Sequence, residues 1–250
     1  MQDMKEILKE KFRAFVLHLM LSIFVLTLLS FFILYLWYPS PLLEAVNGYR
    51  IFQLVLMIDV ILGPLLTFVV YRKNKKTLKK DLTIIVLLQV SALIYGVYSL
   101  ASAKPVWIVF NGNKFELIQK NEIINSSKNI KKEYLTFNYF AKPKFVAVEL
   151  SGTMEDRQKK MMDEIFSGIS LAQQPDNYVK ISKLAPKILK SSYPLEMLSN
   201  YNSKDQIEIE LNNYRETSRF VPLKANAVDM TVLINKETGE VIKIVDLRPW

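Results

Sequence analysis

Residues 51–71 read IFQLVLMIDVILGPLLTFVVY, an apolar run whose only charge is Asp59 and whose only helix breaker is Pro64. As a helix rising about 1.5 Å per residue, this run is roughly 31 Å long, enough to cross a hydrocarbon core of about 30 Å. A second run precedes it at residues 14–37 (AFVLHLMLSIFVLTLLSFFILYLW), and a third follows at residues 82–100 (LTIIVLLQVSALIYGVYSL). Each is long enough to span, and of the three only residues 51–71 contain an acid. The first run is too long for the core of a cleaved signal peptide, and no small-x-small pair follows it closely, so it reads as an uncleaved anchor.

The charges outside these runs orient them. Lys5, Lys9, Lys11 and Arg13 precede the first span, and Arg72, Lys73, Lys75, Lys76, Lys79 and Lys80 separate the second from the third, whereas the connection between the first two carries only Arg50. Loops rich in Lys and Arg stay in the cytoplasm. The expected topology is a multi-pass inner-membrane protein with a cytoplasmic N-terminus and everything after residue 103 outside, in the periplasm of a cell with two membranes. Trp37, Tyr38 and Tyr49 would then form an aromatic belt at the outer interface. The basic loop is explained by topology and by attraction to anionic lipid. A nucleic-acid partner is not expected, because the basic run lies between two membrane spans and the outer domain carries only +4.

Residues 1–103 hold 11 basic and 6 acidic residues, and residues 104–250 hold 22 and 18, spread evenly. The chain therefore divides into a three-helix membrane domain (1–103) and a water-soluble domain (104–250) of ordinary size. Within the latter, residues 105–110 and 114–118 are β-type runs separated by Asn111-Gly112-Asn113, a hairpin signal. Residues 144–150 read as another strand, and residues 228–234 and 240–247 as a closing hairpin around Gly239. Residues 153–169 read as a helix capped by Thr153, with Met154, Met161, Met162, Ile165 and Ile169 near helical spacing. Residues 181–200 read as short helices interrupted at Pro186 and Pro194, and residues 205–214 fit strand or helix equally. The fold class is α+β: three transmembrane helices followed by an extracytoplasmic α+β domain with an antiparallel sheet and hairpins.

Much chemistry is excluded. The chain has no cysteine and one histidine, His18, so disulfides, thiolate nucleophiles and His- or Cys-based metal cages are absent from the soluble part. Its seven glycines lie at least fifteen residues apart, which excludes phosphate-cradling loops and nucleophile elbows. Acid pairs such as Asp163-Glu164 or Glu208 and Glu210 read as solvated faces. No catalytic, cofactor-binding or metal site is expected.

Asp59 is the informative residue. An ionised Asp at a helix centre costs about 2.5–3.5 kcal/mol on insertion scales, so it must be protonated, paired or turned toward another helix. Gly63 and Pro64 follow at i+4 and i+5, and Pro64 leaves the carbonyl of Val60 without its helical donor. Asp59 could contact Gln89, Ser91 or Tyr95 of the third span, or a helix of a partner. Intramembrane aspartyl proteolysis needs a second carboxylate, which the spans lack. His18 reads as a neutral hydrogen-bonding residue, and Gly96 with Ser91 as small residues that permit close helix approach. The candidate partner contact is thus Asp59, Gly63, Pro64 and Gln89.

Several motifs resemble one family. W-Y-P-x-P at 37–41, D-V-I-L-G-P-L-L-T at 59–67, the basic turn, Asp81-Leu82, L-L-Q at 87–89, Tyr95-Gly96, K-P-V-W-I-V-F at 104–110 and the terminal Arg248-Pro249-Trp250 are similar to the TfpX/TfpZ proteins, FimB-like fimbrial assembly proteins that act as type IV pilin accessory factors. Asn47-Gly48 stands where the family usually has a glycine pair. The resemblance implies a non-enzymatic inner-membrane protein assisting pilus biogenesis, with a type IV pilin, major or minor, as partner beside the lipid bilayer. The alternative is a membrane-anchored sensor or ligand-binding module, although about thirteen N-terminal residues and a ten-residue loop leave little cytoplasmic output.

Overall fold

A computed structural model describes residues 2–124, 131–135, 138, 140–212, 214 and 218–250. The chain forms two compact units: Met1–Tyr35 with Gly48–Ser102, and Leu36–Asn47 with Ala103–Trp250. The sequence reading divides the chain near residue 103; the structure additionally groups Leu36–Asn47 with the second unit.

In the first unit, α1 (Gln2–Phe32) runs into a π-helical turn, Ile33–Trp37. The second span is α3 (Tyr49–Leu56), a π-helical turn Met57–Leu62 and α4 (Gly63–Val70), and the third is α5 (Leu78–Ser102). Three helical stretches, Met4–Trp37, Tyr49–Val70 and Leu78–Ser102, are long and apolar enough to cross a membrane. Large apolar side chains such as Leu17, Phe24, Leu87 and Ile94 are exposed, as a lipid-facing surface requires. At one end Lys73 pairs with Glu10 at 2.7 Å and Lys11 donates to the carbonyl of Val69 at 3.0 Å. These contacts bring the basic N-terminal turns and the basic loop together. Gly96 lets α5 approach α3, because a Cβ there would lie 2.2 Å from Val55 Cγ2. Ser91 instead donates to the carbonyl of Leu87 in its own helix.

The second unit is built on a seven-stranded sheet ordered β4-β3-β1-β2-β5-β6-β7. The strands are β1 (Pro105–Asn111), β2 (Lys114–Gln119), β3 (Lys144–Val148), β4 (Tyr178–Lys180), β5 (Ser218–Lys224), β6 (Met230–Asn235) and β7 (Val241–Val245). β1 and β2 pair antiparallel around Gly112, whose φ of +69° suits glycine; β6 and β7 pair antiparallel around Gly239, φ +73°. The sheet is mixed rather than antiparallel throughout: β1 pairs parallel with β3, and β2 with β5. β3 follows β2 in the opposite direction and so runs parallel to β1, while a long helix-containing connection separates β2 from the parallel β5.

Side chains alternate across the sheet. Ile108, Phe110, Phe115, Val221, Leu223, Val232 and Ile234 face one layer, which is filled by Ile188 of α8 (Ala185–Lys190) and by Leu42 and Ala45 of the short α2 (Leu42–Ala45). On the other face Trp107, Val109 and Val146 pack with Leu171, Ala172, Tyr178 and Tyr134, the last from α6 (Lys132–Leu135). Phe220, Leu233 and Val245 pack with Leu198 and with Leu211 of α9 (Lys204–Leu211). The α2 segment is part of this core, since the carbonyl of Ala45 accepts from the backbone of Ala227 (3.0 Å) and Val228 (3.2 Å). Trp37 and Tyr38, expected in an aromatic belt, are instead 6% and 1% exposed.

The ambiguous stretch that begins at Asp205 is helical through Leu211 because Ser203 caps α9, accepting from the backbone N–H of Gln206. Pro186 and Pro194 start short helical pieces rather than interrupting longer ones. The capped helix expected after Thr153 is α7 (Met154–Ser167), with the capping box completed by Asp156. Its apolar residues do not enter the core: Met154, Ile165 and Phe166 are 72–79% exposed. Glu164, read as solvated, accepts hydrogen bonds from Asn111 Nδ2, Ser170 Oγ and the backbone of Leu171 and so fixes the turn after α7. Lys104 is buried and donates to the carbonyls of Asn138 (3.2 Å) and Ala141 (2.7 Å); burial, with nearby Lys120, lowers its pKa to about 8.

Candidate functional site

Asp59, Gly63 and Thr67 recur every four residues on the second span and line one face. All three are buried, as is Pro64. The π-helical turn Met57–Leu62 carries Asp59 and ends at Gly63, one residue before Pro64, whose ring lacks an N–H; single π turns recur where a helix presents a functional group.

Gly63 sits against α5. A Cβ there would fall 2.0 Å from Gln89 Nε2, 2.4 Å from Cδ and 2.8 Å from Oε1. Only glycine lets the carboxamide lie across this face. From that position Gln89 Nε2 donates to the main-chain carbonyl of Asp59 at 3.2 Å. Its oxygen Oε1 is thereby turned to His18, whose Nε2 lies 2.9 Å away and donates. The other ring nitrogen, Nδ1, lies 2.6 Å from Thr67 Oγ1 and accepts from that hydroxyl. The two bonds fix one tautomer and join all three spans through four side-chain and backbone groups.

One oxygen of the Asp59 carboxyl group stays outside this network. The residue is 6% exposed, and Oδ1 is buried with no hydrogen-bond partner among the described residues. It borders a cleft of about 140 Å³ also lined by His18, Ser22, Leu26, Gln89 and Leu93. Of the partners considered for Asp59, Gln89 is adjacent, Ser91 is satisfied within its own helix, and Tyr95 is 67% exposed.

Asp59, Gly63 and Gln89 are thus brought together. Pro64 shapes the helix beside them without entering the network. The sequence reading named His18 as a hydrogen-bonding residue without its partners and missed the role of Thr67. The four-residue spacing of Asp59, Gly63 and Thr67 was a usable signal, whereas the pairing of His18 across 49 and 71 residues was not.

The family model described as Fimbrial assembly protein FimB matches residues 6–46. The chain is 32% identical over 231 residues to the Fimbrial assembly protein, serogroup I, of Dichelobacter nodosus, covering 88% of this chain and 89% of that relative. The serogroup E1 protein of the same organism shows the same identity and coverage. The protein of serogroups C1 and C2 is 37% identical over 111 residues, 43% of this chain. No solved structure matches the chain. With a third of its residues shared along nearly nine-tenths of both sequences, the chain belongs to the fimbrial assembly protein family.

Proposed function

We propose that this chain is a non-enzymatic membrane accessory factor of fimbria biogenesis that contacts the cognate type IV pilin before or during its entry into the fibre. The names of its relatives support the fimbrial role. The three apolar helices support residence in the inner membrane. The gathering of basic residues at one end, held by Lys73–Glu10 and Lys11–Val69, supports a cytoplasmic N-terminus and a periplasmic second unit.

The observation that carries a partner contact is the buried carboxylate oxygen of Asp59 that lacks a hydrogen-bond partner among the described residues, beside a cleft lined by Gln89, which itself lies against Gly63. A buried acceptor without a donor costs free energy that a bound helix recovers. Asp59, Gly63, Pro64 and Gln89 therefore form the contact region for the pilin's membrane segment.

The test is photo-crosslinking in cells from positions on α3 and α4 to the cognate pilin, with surface fimbriae counted in parallel. Crosslinks that disappear with Asp59→Asn, accompanied by fewer fimbriae, are the expected result. Unchanged crosslinks and unchanged fimbriation would reduce Asp59 to an internal contact. Alkaline phosphatase fused after Trp250 is expected to be active, and an inactive fusion would overturn the orientation.

A further inference from the structure

The hydrogen-bond accounting of the cleft specifies the chemistry of what fills it. Gln89 donates one N–H of its amide to the Asp59 carbonyl and accepts at its oxygen from His18, and His18 engages Gln89 and Thr67 with its two nitrogens. Ser22 stands on the α1 wall. Asp59 Oδ1, an acceptor beside the cleft, is buried without a hydrogen-bond partner among the described residues. The complementary group must therefore donate, and in a hydrocarbon surrounding a carboxylate gains most from a donor that carries positive charge.

Size and depth narrow the source. A cleft of about 140 Å³ admits one long side chain but not a whole helix. Asp59 is the eleventh residue of the 22-residue stretch Tyr49–Val70, which places it near the middle of the bilayer. Lipid amines lie about 15 Å away, at the edge of a hydrocarbon core of about 30 Å. The walls contributed by Leu26 and Leu93 suit the aliphatic stem of a lysine or arginine, with its charged tip at Asp59.

We infer that the cleft receives a single cationic side chain carried at mid-membrane by the helix of a partner protein, paired with Asp59. This rests on reading the chain as a factor that binds a membrane-embedded partner, and it adds the chemical group by which such a partner is chosen.

The experiment uses the full chain in lipid nanodiscs. The probes are polyleucine membrane peptides that differ only in the central residue, Lys, Leu or Glu, each bearing a diazirine for photo-crosslinking. The expected result is capture of the central-Lys peptide on the order of tenfold above the Leu peptide, the scale of intramembrane polar contacts, with no gain for Glu. Asp59→Asn should remove the preference. Val90→Trp, which fills the cleft and leaves Asp59 in place, should do the same. His18 is the chain's only histidine, so its imaging by ¹⁵N NMR as a single imidazole shows whether each variant keeps its internal network. Equal capture of the three peptides, or a Lys preference that survives both substitutions, overturns the inference while leaving the accessory role intact. A gene deletion without effect on fimbriae would overturn the accessory role while leaving the peptide preference intact.

Discussion

Gly63→Ala separates the network's role from its contribution to stability. The helical backbone at Gly63, φ −60° and ψ −54°, accepts alanine, and alanine in a helix is favoured over glycine by about 1 kcal/mol. The added Cβ, however, would fall 2.0 Å from Gln89 Nε2, so the flexible carboxamide must swing away. Two hydrogen bonds are then lost, to the Asp59 carbonyl and to His18. Intramembrane hydrogen bonds average about 0.6 kcal/mol, so the loss is roughly 1 kcal/mol and nearly cancels the propensity gain. The variant should be as stable as the parent, while His18 loses its acceptor. The assay is ¹⁵N NMR of the single imidazole alongside reversible unfolding in detergent. A shifted His18 signal with a stability change below about 1 kcal/mol is expected. An unshifted signal, or a loss of several kcal/mol, would refute the network as drawn.

Three further outcomes follow from the second unit. Lys104 has a pKa lowered from 10.5 to about 8, so the folded chain binds fewer protons than the unfolded chain between those values, and stability should climb as pH rises through that window; denaturant titrations at several pH values should show the climb, and Lys104→Met should flatten it. Thr153→Ala removes the cap that accepts from Asp156 N at 3.2 Å, a loss of about 1 kcal/mol, and because the apolar residues of α7 are exposed the loss should appear as about fivefold faster hydrogen exchange confined to that helix. Trp107→Ala strips the edge-on partner of Tyr134 (5.8 Å) and Tyr178 (5.6 Å), and chemical denaturation should report a loss of about 3–5 kcal/mol.

Features set by adjacent residues were legible in the sequence. The three spans announce themselves because an apolar run of membrane length needs no context. Asn111-Gly112 marks its turn because few residues tolerate positive φ. β5 escaped notice because Pro222 interrupts it and proline argues against a strand, yet its neighbours Val221 and Leu223 are wholly buried. α9 was undecided by periodicity and was settled by the Ser203 cap. At the candidate site, Asp59 and Gly63 stood out as local oddities, an acid in an apolar run and a glycine before a proline. The meaning of His18 came only from three-dimensional pairing, since nothing near it in the chain names Thr67 or Gln89. The exposed face of α7 shows the converse limit: helical periodicity predicts a face, not what covers it.

The α2 segment constrains how this protein can be handled and made. Ala45 closes two backbone donors of the stretch at Ala227 and Val228, Leu42 plugs the sheet, and Glu44 reaches Arg248 at 3.6 Å. A recombinant fragment beginning at residue 103 would thus be missing a piece of its own interior and should need the 36–47 peptide, fused or supplied in trans, to become soluble. During synthesis that piece emerges some 180 residues ahead of the partners that receive it, so this unit cannot finish folding until residues 227–248 have been made.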